Sequence, residues 1–313
     1  MTGLCWTYNA LVSYYEHCGI RELNPIIEQL LLACPSSSVF AIGGHSVVLQ
    51  ISSNIVAKVS IKAGDPRIRQ EQKIFEVLQD SKSHNIVQCF YRGVDVSFLE
   101  SLPHGTLHDR MSLPKHRPVL HWMLQLTTAV AYLEELGYAH GDLNPQNILL
   151  NDDDELKLID FDHSLQIGED VDVGYEPYVR QSRERDGGLF GVAGPRPEQF
   201  ALGSIFWYMF RGSELYAELS GPDKVDRLID GKFPDTDPTE PIERVIKNCW
   251  LRRYARIADL LEEIKAMVGD TARQEKQSML EHDFSENRRI CEKYYNSLSV
   301  AKAVHESKHG DDA

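Results

Sequence analysis

Apolar residues along this chain fall into two regimes. From Val39 to about residue 60 they come in short runs, Val39 to Ile42, Val47 to Ile51 and Ile55 to Val59, separated by Gly43-Gly44-His45-Ser46 and Ser52-Ser53-Asn54. Runs of that length, rich in β-branched residues and bounded by turn formers, predict strands joined by tight turns. Elsewhere the spacing is helical. Ile26, Ile27, Leu30 and Leu31 predict an amphipathic helix ended by Pro35-Ser36-Ser37-Ser38, and Asp65 to Leu78 a helix that buries Ile74, Phe75 and Leu78. Val119 to Leu136 reads as a long buried helix with Gly137 just past its end. A last β signal is a pair of short apolar runs, Ile148 to Leu150 and Leu156 to Ile159, around Asn151 to Glu155, which predicts a small hairpin.

The ends differ from the middle. Residues 1 to about 38 predict a helical extension, either packed on the main domain or serving as a partner-docking segment. Beyond Val268, Lys, Arg, Glu and Asp interleave, which predicts an exposed helix and a disordered tip at Lys308 to Ala313. The expected domains are therefore 1–38, 39–268 and a charged tail, 269–313.

Composition narrows the classes. With 313 residues, 42% hydrophobic and 26% charged, the chain has the profile of a globular protein with a substantial core. Its net charge is -14, from 33 Lys+Arg against 47 Asp+Glu, with no dense basic run, which argues against nucleic acid or an anionic membrane as partner. Six cysteines (Cys5, Cys18, Cys34, Cys89, Cys249, Cys291) occur without a C-x-x-C pair and read as reduced thiols of a cytoplasmic or nuclear protein. Apolar runs such as Leu30 to Cys34 are too short to span a membrane.

Candidate chemistry concentrates in Tyr138 to His163, YAHGDLNPQNILLNDDDELKLIDFDH. A hairpin that small keeps its two ends near one point, so Asp142, Asn147 and Asp160 can face a common site. One carboxylate to take the proton of an attacking hydroxyl, with oxygen ligands to hold Mg²⁺ against phosphates, is what phosphoryl transfer requires. The stretch resembles the catalytic loop and metal-binding triplet of the eukaryotic protein kinase family, H-R-D-L-x-x-x-x-N and D-F-G. The fold this resemblance implies is α+β and two-lobed: a small β-rich N-lobe with one main helix (39–100), a hinge (101–105) and a larger helical C-lobe (106–268). It also implies ATP and Mg²⁺ as cofactors and a protein hydroxyl as acceptor, Ser/Thr before Tyr.

Further residues extend the resemblance. The Gly43-Gly44 turn resembles the glycine-rich loop that lays backbone N–H groups over phosphates, although a Gly-Gly turn also serves as a plain hairpin. In Val56-Ala57-Lys58 a lysine falls on a central strand, where an ammonium needs an anionic partner, unless the strand lies at a solvent-facing edge. By the resemblance that partner is Glu71, with Glu76 a solvated residue, and the backbone of Glu100 and Leu102 borders the adenine with Leu99 at the back of the pocket. His140 reads as a core histidine bracing the loop. Glu198-Gln199-Phe200-Ala201-Leu202-Gly203 and Cys249-Trp250 resemble the helices at the centre and end of the kinase C-lobe, with Glu198 in place of Asp. Glu176 stands in for the glutamate of A-P-E, with Arg256 as its ion-pair partner.

The departures have physical content. Gly141 replaces the arginine that pairs with an activation-loop phosphate. Asn144 puts an amide where a cation would face the γ-phosphate. Asp162 replaces a glycine at a position where unusual dihedrals are expected. Three functions therefore stand side by side: an active protein kinase, a pseudokinase acting as a nucleotide-binding or interaction module, and, from HGDL and IDFD, a small-molecule kinase of the aminoglycoside or choline kinase type.

Overall fold

The computed structural model describes residues 8–20, 22–33, 37–78, 83–181, 187–269 and 281–298. The expectations for Pro35-Ser36 and for the tip at Lys308 to Ala313 lie outside the described residues. The chain divides into two compact units, with the break between Ser101 and Leu102.

The first unit is built on an antiparallel sheet ordered β1-β2-β3-β5-β4, from β1 (Ser38–Ile42), β2 (Ser46–Gln50), β3 (Ile55–Ser60), β4 (Cys89–Gly93) and β5 (Val96–Glu100). Its register sorts the side chains by face. Leu49, Ala57 and Phe98 are cross-strand neighbours, as are Val47, Val59 and Val96, and all six join one apolar core. Lys58 and Ser97 pair between them and, by the period-2 alternation of strands, point to the other face. On the apolar face lie α1 (Tyr8–His17) and α2 (Pro25–Ala33), which contribute Leu11, Tyr15, Ile26, Ile27 and Leu30 to the same core. The N-terminal helices are thus part of the core of the unit that carries the sheet. Asn24 ties them down: its backbone N–H donates to Ile61 O at 2.7 Å, and its amide reaches Ser60 Oγ and Asp95 Oδ2 at 3.2 and 3.4 Å.

On the face carrying Lys58 and Ser97, α3 (Pro66–Val77) begins at Asp65, whose carboxylate caps Arg67 N, and continues through Pro66 as the first helical residue. Gln72 fastens it to the sheet by donating to Gly93 O, Val96 O and Ser97 Oγ. The C-terminal segment corrects an expectation. Instead of an exposed helix, α10 (Glu281–Ser297) buries Cys291 and Tyr295, and Leu298 beyond its end, in the sheet's core. The Val94 N–H donates to the Tyr295 hydroxyl oxygen at 3.0 Å, and a Cβ at Gly93 would stand 2.2 Å from the Tyr295 ring. The interleaved charge of this segment marks only its outer face; Cys291, Tyr295 and Leu298, at i, i+4 and i+7, with Phe284, Ile290 and Tyr294 against the same core, decide where it packs.

The second unit holds α4 (Leu107–Met111), α5 (Val119–Glu135), β6 (Tyr138–Ala139), the hairpin β7 (Ile148–Leu150) and β8 (Leu156–Leu158), β9 (Leu165–Gln166), α6 (Pro195–Arg211), α7 (Gly221–Ile229), α8 (Pro241–Trp250) and α9 (Ile257–Val268). Buried α5 packs against α9, and α6 against α8. Gly203 permits the second contact, because a Cβ there would lie 2.7 Å from the Cys249 Cβ, while Trp250 donates to Ser204 Oγ at 3.3 Å. The two motifs Ala201-Leu202-Gly203 and Cys249-Trp250 are therefore two sides of one helix crossing. Arg256 does not pair with Glu176. As the N-cap residue of α9 it donates to Asp259 instead, backbone N–H to Oδ2 at 3.0 Å and Nη2 to Oδ1 at 2.7 Å. No helix among the described residues is long and apolar enough to cross a membrane.

Candidate active site

In the first unit the candidate groups lie on the sheet and α3. Lys58 Nζ donates to Glu71 Oε1 at 2.8 Å, and both residues are buried, 8% and 1% exposed. A buried ammonium and carboxylate hold each other there because neither is solvated alone. Glu76 is largely exposed and only grazes Arg92 at 4.0 Å. The Gly43-Gly44 turn is closed by Gly43 N donating to Ser46 O at 2.9 Å. Gly44 has neither a left-handed backbone nor any atom within 4 Å of where a Cβ would stand. The fold itself does not require glycine at 44, whereas close approach by a ligand does. Leu99 is buried on β5, and the Glu100 N–H donates to Gln88 O at 2.9 Å.

In the second unit, Leu102 is buried, and neither of its backbone groups has a partner among the described residues. Asp142 and Asn147 are locked together: the Asn147 amide nitrogen donates to Asp142 O and to Asp142 Oδ2, both at 2.9 Å. With its two donors committed, Asn147 has its carbonyl oxygen left, an acceptor suited to a hard cation. The β7–β8 hairpin brings the next carboxylate to the same loop, since Ile159 N donates to Asn147 O at 3.0 Å immediately before Asp160. Asp160 holds φ 68°, the left-handed region, and Asp162 does not; the strained position is one pair of residues earlier than the glycine comparison suggested.

His140 is the brace that joins these parts. Fully buried, it accepts the Asp142 N–H on Nδ1 at 3.3 Å, so Nε2 carries the proton and donates to Ile159 O at 2.9 Å. Phe161 packs on its ring at 5.3 Å. Below it, Glu198 of α6 accepts from His140 N at 2.9 Å and Gly141 N at 3.2 Å. Burial pushes the Glu198 carboxyl above its usual range, while His140 and the two N–H groups pull the other way.

The departures acquire causes. Gly141 has φ 78°, and a Cβ there would lie 2.4 Å from His163 O, so an arginine does not fit this backbone. Asn144 is buried, with its amide donating to Asp142 O at 3.0 Å and its oxygen capping Gln146 N of the 3₁₀ turn Pro145–Asn147 at 2.9 Å. It builds the loop. Neither motif nor spacing singles out Tyr175, a half-exposed phenol pushed up to about 12 by burial first and then by the carboxylates of Glu214 and Asp142. Only the fold brings residues so far apart into electrostatic reach. The described residues contain no cluster of three or more His, Cys, Asp or Glu side chains able to hold a metal. A cation here would have two oxygen donors from the protein, Asn147 and Asp160, and the remainder from phosphates and water, the arrangement Mg²⁺ ordinarily accepts.

The family model of the protein kinase domain matches residues 43–285, and the chain belongs to that family. Its sheet-bearing and helical units are the two lobes of that α+β fold. Among similar proteins, the maternal embryonic leucine zipper kinase of Xenopus laevis is 32% identical over 155 residues, 43% of this chain and 23% of its own length. The serine/threonine-protein kinase grp of Drosophila melanogaster is 34% identical over 102 residues, 30% of this chain and 19% of that protein. The matched part thus spans less than a quarter of these relatives' length.

Proposed function

We propose that the chain is an ATP-dependent protein kinase that transfers the γ-phosphate to a Ser or Thr hydroxyl, with Mg²⁺ as the metal. The observation that carries this reading is the Asp142–Asn147 lock, which orients one carboxylate and leaves an oxygen donor beside it. Asp142 accepts the proton of the acceptor hydroxyl as its oxygen bonds to the γ-phosphorus, while the bond to the β–γ bridging oxygen breaks and ADP departs. Lys58, held by Glu71, binds the α- and β-phosphate oxygens, and Gly44 N–H approaches the same chain of phosphates. The Glu100 carbonyl and Leu102 N–H receive the adenine edge. Asn147 and Asp160 hold Mg²⁺, which when bound neutralises phosphate charge. The four described cysteines are free thiols, in keeping with a cytoplasmic or nuclear protein.

One observation favours the pseudokinase alternative: Asn144 is turned into the loop, so no cation reaches the γ-phosphate from that position. The small-molecule kinase reading has the HGDL and IDFD variants behind it, and the Gly203–Cys249 crossing speaks for a protein kinase C-lobe instead. A thermal-shift titration with ATP, with and without Mg²⁺, followed by a phosphate-transfer assay on Ser/Thr peptides, tests the choice. The expected result is a Mg²⁺-dependent rise in Tm, from roughly 2.7 kcal/mol of linkage at 100 times Kd. Lys58→Ala and Asp160→Asn should lose that rise, and Asp142→Asn should keep it while losing transfer. A cooperative protein that shows no shift, or a shift without transfer, favours the pseudokinase reading.

A further inference from the structure

The apolar face of the sheet carries a polar contact that the core does not need. Tyr15, on α1 and 2% exposed, donates its hydroxyl to Gly43 O at 3.0 Å, across 28 residues of chain. Its ring belongs to the core with Val47, Leu49, Ala57 and Val59, and phenylalanine would fill that space equally well. Burial pushes the phenol's pKa up, so the hydroxyl stays a donor throughout the physiological range. Its acceptor belongs to the glycine turn.

A peptide unit is planar and trans, so its C=O and the following N–H point in opposite directions. Holding the Gly43 carbonyl toward α1 therefore turns the Gly44 N–H toward the opposite face of the sheet, the face that carries Lys58. The other donor of the pair is engaged within the turn, since Gly43 N–H goes to Ser46 O. Gly44 N–H has no partner among the described residues, and space is open around its Cα. Glycine is the residue most free to rotate such a peptide, and a free turn would sample both orientations. The anchor is itself fixed, by Leu11 on the same helix and by the Asn24 bonds to Ile61, Ser60 and Asp95.

The geometry points to Tyr15 as a positioning residue for nucleotide phosphate: its hydroxyl presets the Gly43–Gly44 peptide so that the Gly44 N–H faces the phosphates that Lys58 binds. The N-terminal helices thereby become a working part of the nucleotide site. This rests on the phosphate-binding reading of Lys58 and the glycine turn given above.

Calorimetric titration of the full chain with MgATP and, separately, with adenosine tests it. Tyr15→Phe removes the hydroxyl and keeps the ring. Loss of one such hydrogen bond predicts about a three- to tenfold weaker MgATP affinity, with adenosine, which has no phosphates, unchanged. Leu11→Val, on the same helix and in the same core, controls for general loosening and should weaken neither ligand selectively. Equal weakening of both ligands by Tyr15→Phe, or no change in either, overturns the inference while leaving the kinase reading intact. Wild-type protein that binds neither MgATP nor adenosine overturns both. Titrations are run well below each variant's Tm, so that a small loss of stability cannot mimic the effect.

Discussion

Replacing Glu71 by Gln keeps the shape of the side chain and removes its charge. The carboxylate it removes lies 2.8 Å from the Lys58 ammonium, in a place where Glu71 is 1% exposed. Taking one partner from a buried pair destabilises a protein by about 3–5 kcal/mol. The amide oxygen retains a neutral hydrogen bond to Nζ, roughly 1 kcal/mol, so the expected loss is about 2–4 kcal/mol. At roughly 2–4 °C per kcal/mol for a cooperative unit of this size, Tm falls by about 5–15 °C. The double variant Lys58→Met with Glu71→Leu exchanges the pair for apolar groups, a change that is often neutral or stabilising, so it should recover most of the loss. It should also have lost MgATP binding, which separates stability from function. Thermal unfolding of the wild type, the single variant and the double variant, each with and without MgATP, gives all of these quantities. A Glu71→Gln variant within 1 kcal/mol of wild type, or a double variant as unstable as the single, would refute the reasoning that the ammonium depends on this carboxylate.

Three more outcomes follow from the second unit and the thiols. Gly141→Ala should destabilise by at least about 1–2 kcal/mol for the left-handed backbone alone, before the 2.4 Å approach to His163 O is relieved, and Gly141→Arg, the family's residue, should be no better; chemical denaturation decides this. Glu198→Gln leaves one of the His140 and Gly141 N–H groups without a good acceptor, about 1–3 kcal/mol. Because the folded Glu198 pKa is raised, the folded state binds more protons than the unfolded one between the two values. Wild-type stability relative to Glu198→Gln should therefore fall as pH rises from the unfolded carboxyl value through the folded one, measured by denaturation at stepped pH. Burial holds the Cys89 and Cys291 thiols up at about 12 and Cys249 well above its usual value, so alkylation of native protein at pH 8 should label exposed Cys18 and spare those three, as read by peptide mass spectrometry.

What was legible in the sequence is what short-range pattern encodes. The β2 and β3 runs, the α3 and α5 helices and the β7–β8 hairpin follow from periodicity and turn residues, and their observed bounds fall within a residue or two of those read. The candidate groups at Lys58, Glu71, Asp142, Asn147 and Asp160 were picked out by motif and spacing. What pattern cannot show is which distant segment meets which. The hydroxyl of Tyr15 on Gly43, the carboxylate of Glu198 under the catalytic loop and the Tyr295 ring on Gly93 join residues 28, 58 and about 200 positions apart, with no periodicity to signal them. The departures were legible as departures, but their causes were not. Gly141 looked like a missing charge and is a backbone requirement, while Asn144 read as an amide in the place of a cation and caps the 3₁₀ turn.

The position of α10 has a consequence for how the chain acquires its structure. Tyr295 meets Val94 across 201 residues, and all of the second unit's sequence but Ser81–Ile86 lies between them. During synthesis the sheet emerges early, yet the apolar face that Cys291, Tyr295 and Leu298 cover stays open until those residues have been made. Contacts this distant along the sequence slow folding, and an open apolar sheet face invites aggregation meanwhile. The helical unit can complete itself first, because its own core draws on residues that are contiguous apart from a few before β4. The unit that begins the chain is therefore the one expected to finish folding last, and the one whose nascent form has most use for a chaperone.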